Sequence, residues 1–275
     1  MNQHTDPPDP LRTEYRDATK LDARIHLHTH YSSNKQGLYR WIFEQLPLTA
    51  QSRVLDIGCG SGKLWSENAP RIPPGCRITL ADFSPGIVAD TAGQLASLPP
   101  RFTCAVCDIQ ALAFAAHSFD LVIANHMLYH VPDRGRAYRE IRRVLRPGGS
   151  FYASTNSRHT MRAYDELIAT VRGISPKQAG SGNDSRTVSG FNMEHGGDEL
   201  AQAFTTVHLH RYEDALLIPA AAPLVAYAAV SGHLAGAQLD RFGQMVEDRI
   251  TAHGPLRIEK GVGLFEAHVP INSTQ

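Results

Sequence analysis

The chain has 275 residues, 42% of them hydrophobic and 20% charged, and its 27 Lys+Arg balance its 27 Asp+Glu. Zero net charge excludes a binder whose affinity rests on a broad basic surface, and the apolar share excludes an acidic disordered chain. The length suffices for one large domain, or one with an appendage, whose core needs no staples. Four cysteines, Cys59, Cys76, Cys104 and Cys107, lack the spacing of a disulfide framework, which points to a reducing compartment. No basic-then-apolar leader opens the sequence, so a cytoplasmic location is expected.

In chain order, residues 1–45 carry no alternating strand and helix signal. Residues 23–46 are expected to form one or two helices outside the sheet. Residues 1–45 then make a helical N-terminal lid ahead of a main domain over 46–275. His26, His28 and His30 alternate there, but a helix or loop does not put alternate residues on one face. His28 and Tyr31 therefore read as lid or substrate contacts, both candidates for the catalytic set, and no metal site is expected.

From 53 to 155 short apolar runs alternate with helical stretches: RVLDI at 53–57, RITLA at 77–81, FTCAVC at 102–107, FDLVIA at 119–124 and SFYAS at 150–154. Strands spaced by helices need crossover connections, hence a parallel sheet. Ser84-Pro85 supplies an N-cap and a proline at the first helical position. Tyr138, Ile141 and Leu145 recur at helical spacing over 134–145, and Arg146-Pro147-Gly148-Gly149 is expected to stop that helix. Arginines 134, 136, 139, 142, 143 and 146 read as its solvated face, with a homo-oligomer or anion contact as the other reading. Cys104-x-x-Cys107, with no second pair, reads as core packing.

Residues 173–198 are rich in Gly and Ser and read as an excursion after the fifth strand. Segments 156–200 and about 215–240 are expected to cap the substrate. Residues 215–239 hold no Asp, Glu, Lys or Arg, yet they are alanine-rich and contain Pro219 and Pro223. They read as a buried strand end plus a helix, not a membrane span. A helix near 197–204, a strand near 205–211, a helix at 238–253 and a last strand at 263–269 complete a doubly wound, mostly parallel seven-stranded α/β sheet.

The chemistry concentrates in VLDIGCGSGKL, residues 54–64. A strand runs into Gly58-x-Gly60-x-Gly62 and then a helix. Glycine is required where backbone turns sharply or must touch a ligand. A dinucleotide fingerprint wants its third glycine at 63, where this chain has Lys63. Asp56, just before the first glycine, would repel a pyrophosphate and suits a cationic ligand, which disfavours a nicotinamide oxidoreductase. Asp82 ends the second strand, where a carboxylate can accept ribose hydroxyls, and Asp108 ends the third. Asn125 and His126 follow the fourth. His126, His130, His159 and His195 are the imidazoles available as general bases, with a structural role as the competing reading of each.

As a set, these segments resemble the class I S-adenosylmethionine-dependent methyltransferases, in particular their small-molecule (methyltransferase type 11/25-like) subgroup. VLDIGCGSG is similar to their first motif and LADFS to their ribose-binding acidic motif. CDIQAL with FDLVIANHMLYHVPD is similar to the third and fourth, and LRPGGSFYAS to the fifth. The resemblance implies the Rossmann-like methyltransferase fold and S-adenosyl-L-methionine as cofactor. It also implies that Asp56, Gly58, Cys59 and Gly60 hold the methionine end, Asp82 and Phe83 the ribose side, and Asp108 and Ile109 the adenine. Asn125 and His126 would line the floor near the sulfonium, and His126 and His130 join His28 and Tyr31 as catalytic candidates. Asn125-His126-Met127-Leu128 stands where nucleic-acid and protein-amide members often carry Asn/Asp-Pro-Pro-Tyr. That departure implies a small-molecule acceptor, with no nucleic acid or membrane as partner. An RNA or protein methyltransferase and a non-catalytic cofactor-binding relative are the alternatives.

Overall fold

Strand β1 (Arg53–Ile57) is buried at four of its five positions, as a central strand covered on both faces must be. In the computed structural model, which describes residues 27–98, 102–179 and 190–270, it sits inside a seven-stranded sheet of order β3-β2-β1-β4-β5-β7-β6. The other strands are β2 (Arg77–Asp82), β3 (Phe102–Val106), β4 (Phe119–Asn125), β5 (Leu145–Asn156), β6 (Thr206–Ile218) and β7 (Leu256–His268). The pairs β1/β2, β1/β4, β2/β3 and β4/β5 are parallel, and β7 runs antiparallel to β5. From β1 the chain travels out to β3 and returns on the other side as β4. That reversal splays the loops after β1 and β4 apart and opens a crevice at the carboxyl ends.

The helices are α1 (Leu38–Gln45), α2 (Lys63–Ser66), α3 (Pro85–Leu95), α4 (Arg134–Val144), α5 (Arg162–Arg172), α6 (Pro176–Ala179), α7 (Gly196–Ala201), α8 (Ala222–Val230) and α9 (Ala237–His253). As the sequence predicts, Ser84 Oγ caps α3 by accepting the Ile87 N–H at 3.4 Å. Asp133 Oδ1 caps α4 through the Arg136 N–H at 2.8 Å. Residues 27–30 are helical, and with α1 they are the helices expected within 23–46. His26 and Arg24 lie outside the described residues, as does 180–189 of the Gly/Ser-rich excursion.

As expected, α4 stops ahead of the Arg-Pro-Gly-Gly run, which forms no separate loop. The run lies at the start of β5, which pairs Leu145 with Phe119 and then Ser150 with Leu121, so the extra residues bulge opposite Asp120. The third strand is not a buried one: β3 is at the sheet edge, and none of its residues is fully buried. Strands β6 and β7 are thirteen residues each, far longer than their apolar cores suggest. Residues 215–239 form the buried end of β6 and then α8, and no helix among the described residues is long and apolar enough to cross a membrane.

The described chain divides into two compact units. Unit one comprises 27–35, 161–179 and Asp214–Lys260, around Leu27, Tyr164, Ile168, Leu216, Leu224 and Phe242. Its N-terminal segment is tied down by Asp214, whose Oδ1 accepts the Ser32 O–H at 2.7 Å and the Asn34 N–H at 3.2 Å. The other oxygen, Oδ2, pairs with Lys260 at 2.5 Å. Unit two comprises 36–160, 190–213 and 261–270, and holds the crevice. Alternate residues of its strands build two cores on the two sheet faces. Val122, Phe151 and Phe265 belong to one, and Ile123, Tyr152 and Leu264 to the other. The segment 1–45 is thus shared: 27–35 falls in unit one and α1 in unit two.

Candidate functional site

Leaving β1, the chain folds back against β2: the Gly58 and Cys59 N–H groups both donate to Ala81 O, at 2.7 and 3.1 Å. Gly58 has φ 73°, and a Cβ there would lie 2.8 Å from Met127 Cγ, so the turn passes against Met127 with no room for a side chain. Gly60, at φ 52°, is the opposite case. Nothing lies within 4 Å of the position of a Cβ, which leaves open space beside its Cα.

Asp56 lies beneath this turn, 1% exposed. Its Oδ2 accepts the Trp65 indole N–H at 2.8 Å, and its Oδ1 is buried with no hydrogen-bond partner among the described residues. Burial pushes its carboxyl up to about 7; the Trp65 bond opposes this and the charge of Asp82 adds to it. Burial, with Asp56 and Asp82 nearby, also pushes the Cys59 thiol well above its ordinary range, so it stays protonated and inert.

Asp82 ends β2 half-buried and bridges the turn. Its Oδ2 accepts the Gly60 N–H at 3.2 Å and its Oδ1 the Ser84 N–H at 3.0 Å. Phe83 beside it is 68% exposed, and Val106, the β3 partner of Asp82, is 54% exposed. Two bare apolar side chains flanking a carboxylate suit the face of a nucleoside. Asp108 accepts the Gln110 N–H at 2.8 Å in a tight turn that also buries Ile109. At the end of β4, Ser154 of β5 organises two predicted residues. Its O–H donates to Asn125 Oδ1 at 3.0 Å, and both its Oγ and its carbonyl accept the His126 N–H at 3.1 Å. His126 has φ 50°, a left-handed backbone that a non-glycine residue adopts only under constraint. His130 closes the following 3₁₀ turn, edge-on to Tyr129 at 4.5 Å.

The structure therefore brings Asp56, Gly58, Cys59, Gly60, Asp82, Phe83, Asp108, Ile109, Asn125, His126 and His130 onto the carboxyl edge of one sheet in unit two. His28 and Tyr31 belong to unit one, where His28 lies edge-on to Tyr227 at 6.4 Å. Sequence reasoning missed Met127, Trp65 and Ser154. For Trp65 a signal existed: a buried indole N–H needs an acceptor, and Asp56 lies nine residues upstream. Met127 and Ser154 act through contacts that no local pattern encodes.

Residues 55–153 match the family described as "Methyltransferase domain". The chain is similar to a ubiquinone/menaquinone biosynthesis C-methyltransferase of Geobacter sulfurreducens, 36% identical over 99 residues, covering 35% of this chain and 39% of that protein. It is also similar to a ubiquinone biosynthesis O-methyltransferase of Xanthomonas oryzae pv. oryzae, 38% identical over 112 residues, covering 40% of this chain and 45% of that one. The match spans less than half the length of these curated relatives. The crystal structure of the Bacillus YcgJ protein superposes with a TM-score of 0.57 at 14% identity, covering 84% of this chain and 97% of that one, which shows the shared fold.

Proposed function

We propose, from the premise that residues 55–153 form a class I S-adenosylmethionine-dependent methyltransferase domain, that the chain transfers a methyl group to a small organic molecule. The observation that carries this reading is the edge formed by Asp56, Gly60 and Asp82. Open space beside Gly60, a half-buried carboxylate at the end of β2 and an exposed aromatic ring fit an adenosine. The buried, under-satisfied Asp56 carboxylate beneath the turn fits a ligand that brings positive charge.

S-adenosylmethionine supplies, when bound, a methyl group on a positively charged sulfur with a good leaving group. The chain's own residues then have three tasks. Asp82 and Phe83 would hold the ribose side, and Asp108 with Ile109 the adenine. The Gly58–Gly62 turn and Asp56 would hold the methionine end, where the Asp56 charge is complementary to ammonium and sulfonium. Asn125 and His126, fixed by Ser154, would line the floor near the reacting sulfur. The remaining demand is alignment of the acceptor and exclusion of water. His126 and His130 are the imidazoles of this edge that could take the acceptor's proton.

S-adenosylhomocysteine is expected to bind in the low-micromolar range, on the order of −8 kcal/mol. Calorimetry that shows no heat with it, but heat with NAD, overturns the assignment. Incubation with methyl-labelled S-adenosylmethionine and a fractionated small-molecule extract tests the acceptor class: label is expected in a low-molecular-weight product, and label in protein or RNA would refute it.

A further inference from the structure

The carboxyl end of β5 carries a second polar cluster, also within unit two. Beyond Asn156 the chain turns through Ser157, Arg158 and His159. The facing segment 190–195 is fixed from several sides. Phe191 and Asn192 are fully buried. The Thr155 O–H donates to Phe191 O at 2.7 Å, and the Met193 N–H donates to Asn156 O at 3.2 Å. Asn192 Oδ1 accepts the N–H groups of Glu194 and His195, both at 3.1 Å. A Cβ at Gly196 would lie 2.7 Å from Phe265, and one at Gly263 would lie 3.0 Å from Met193, so a side chain at either would force its neighbours to shift.

This rigid arm ends in Glu194, an exposed residue. Its Oε1 accepts the Ser157 O–H at 2.5 Å and its Oε2 accepts the Arg158 N–H at 3.0 Å. Two donors thus orient the carboxylate, and each oxygen keeps a lone pair for another. Burial pushes the Glu194 carboxyl up, but the Arg158 and Ser157 bonds and positive charge at His159 more than offset it, so it titrates below the ordinary carboxylate range. Ser154 joins the β4 and β5 ends into one continuous edge, while Asp56 and Asp82 stand at β1 and β2 on the other side of β4.

We propose that Glu194 binds the methyl acceptor: a pre-oriented carboxylate beside the carboxyl end of β5 that accepts a hydrogen bond from an O–H or N–H of the substrate. The inference rests on the methyl-transfer reading, since only that reading calls for a second ligand at this edge. It narrows the acceptor class to an alcohol, phenol or amine and excludes an acceptor that presents a carboxylate there.

Calorimetry first measures S-adenosylhomocysteine binding to the wild type, E194Q and S157A. Ligand-observed NMR on the S-adenosylhomocysteine-saturated proteins then compares benzylamine, phenol and benzoate, which share a ring and differ in head group. The wild type is expected to prefer benzylamine or phenol over benzoate by roughly tenfold or more. E194Q keeps the side-chain shape and loses the charge, so that preference disappears while S-adenosylhomocysteine binding is unchanged. S157A loses one of the two orienting donors and should lose the preference only in part. A wild type without head-group preference, or an E194Q protein that keeps it in full, overturns the inference and leaves Glu194 as a clasp between loops. If the wild type binds no S-adenosylhomocysteine, the methyl-transfer reading itself falls, and this inference with it, before any probe is added.

Discussion

Asp56 carries a conflict between its position and its charge. With an unfolded value near 3.9 and a folded value of about 7, the native state keeps a proton that the unfolded chain gives up. Stability therefore falls as pH rises from about 4 to 7, by on the order of 4 kcal/mol, and is flat above. D56N preserves an acceptor for Trp65 and removes the charge. Its thermal melting should gain on the wild type more at pH 8 than at pH 5, and a pH-independent difference would refute the account. The same variant should weaken S-adenosylmethionine binding more than S-adenosylhomocysteine binding, because only the former carries the sulfonium charge. Gly58→Ala meets both a left-handed backbone and Met127. It should cost about 2 kcal/mol or more, and adding M127A should recover only part of it, because the Cβ of residue 127, 2.9 Å away, stays and so does the backbone strain of about 1 kcal/mol. Asp82→Ala removes the anchor of the Gly60 and Ser84 amides along with the proposed ribose acceptor. The dissociation constant for S-adenosylhomocysteine should rise roughly tenfold, with little change in turnover at saturation. An unchanged constant by calorimetry would leave Asp82 a purely local cap.

Among the elements, the N-terminal segment and β6 of unit one depend on one buried ion pair. The Asp214 side chain is 1% exposed and Lys260 14%. Burial pushes the Asp214 carboxyl up, but Lys260 and the Ser32 bond outweigh it and hold it below the ordinary value. A depressed carboxylate contributes stability above its unfolded value near 3.9, and that contribution is lost as pH falls through the folded value. K260M leaves the buried charge uncompensated and should cost about 3–5 kcal/mol in chemical denaturation at pH 7. That penalty should shrink below about pH 4, and a penalty independent of pH would speak against it. A chain beginning at Leu38 also loses Leu27 and Ser32 from unit one. Its melting temperature should drop by several degrees while S-adenosylhomocysteine still binds, because every proposed cofactor residue lies in unit two. In unit two, Arg134 and Tyr138 of α4 both hold Glu199 of α7, at 2.6 and 2.7 Å, Arg143 donates to the Leu112 and Phe114 carbonyls, and Arg146 lies in β5, so three of the six arginines leave the expected solvated helix face.

For the whole molecule, a formal charge of zero coexists with local pairing: Arg134, Arg143 and Arg146 find Glu199, Glu140 and Asp120. The proposed site is likewise assembled from the ends of four strands and not from one segment. Saturating S-adenosylhomocysteine should therefore slow amide exchange together at 56–62, 82–84 and 108–110, measured by hydrogen–deuterium exchange with mass spectrometry. Protection confined to the glycine turn would refute a ligand that spans β1 to β3.

The strand–turn–helix at 53–66, the acids at the ends of β2 and β3 and the parallel order were legible because each is a local property. Glycine permits the backbone, alternation sets the strand, and an N-cap starts the helix, whatever lies across the sheet. The family motifs spanned by 55–153 belong to the same stretch. Tertiary structure decided the rest. Nothing local shows that Met127 fills the space over Gly58, or that Arg-Pro-Gly-Gly bulges within β5 opposite Asp120. Strands β6 and β7 outrun their apolar patterns because pairing extends them, and edge position, not composition, leaves β3 half-bare. Ser157 and Glu194 lie 37 residues apart, and only the packing of Phe191 and Asn192 beside β5 brings their oxygens together. Those contacts depend on chain closure over long loops, which the hydrophobic core pays for and no short window of sequence records.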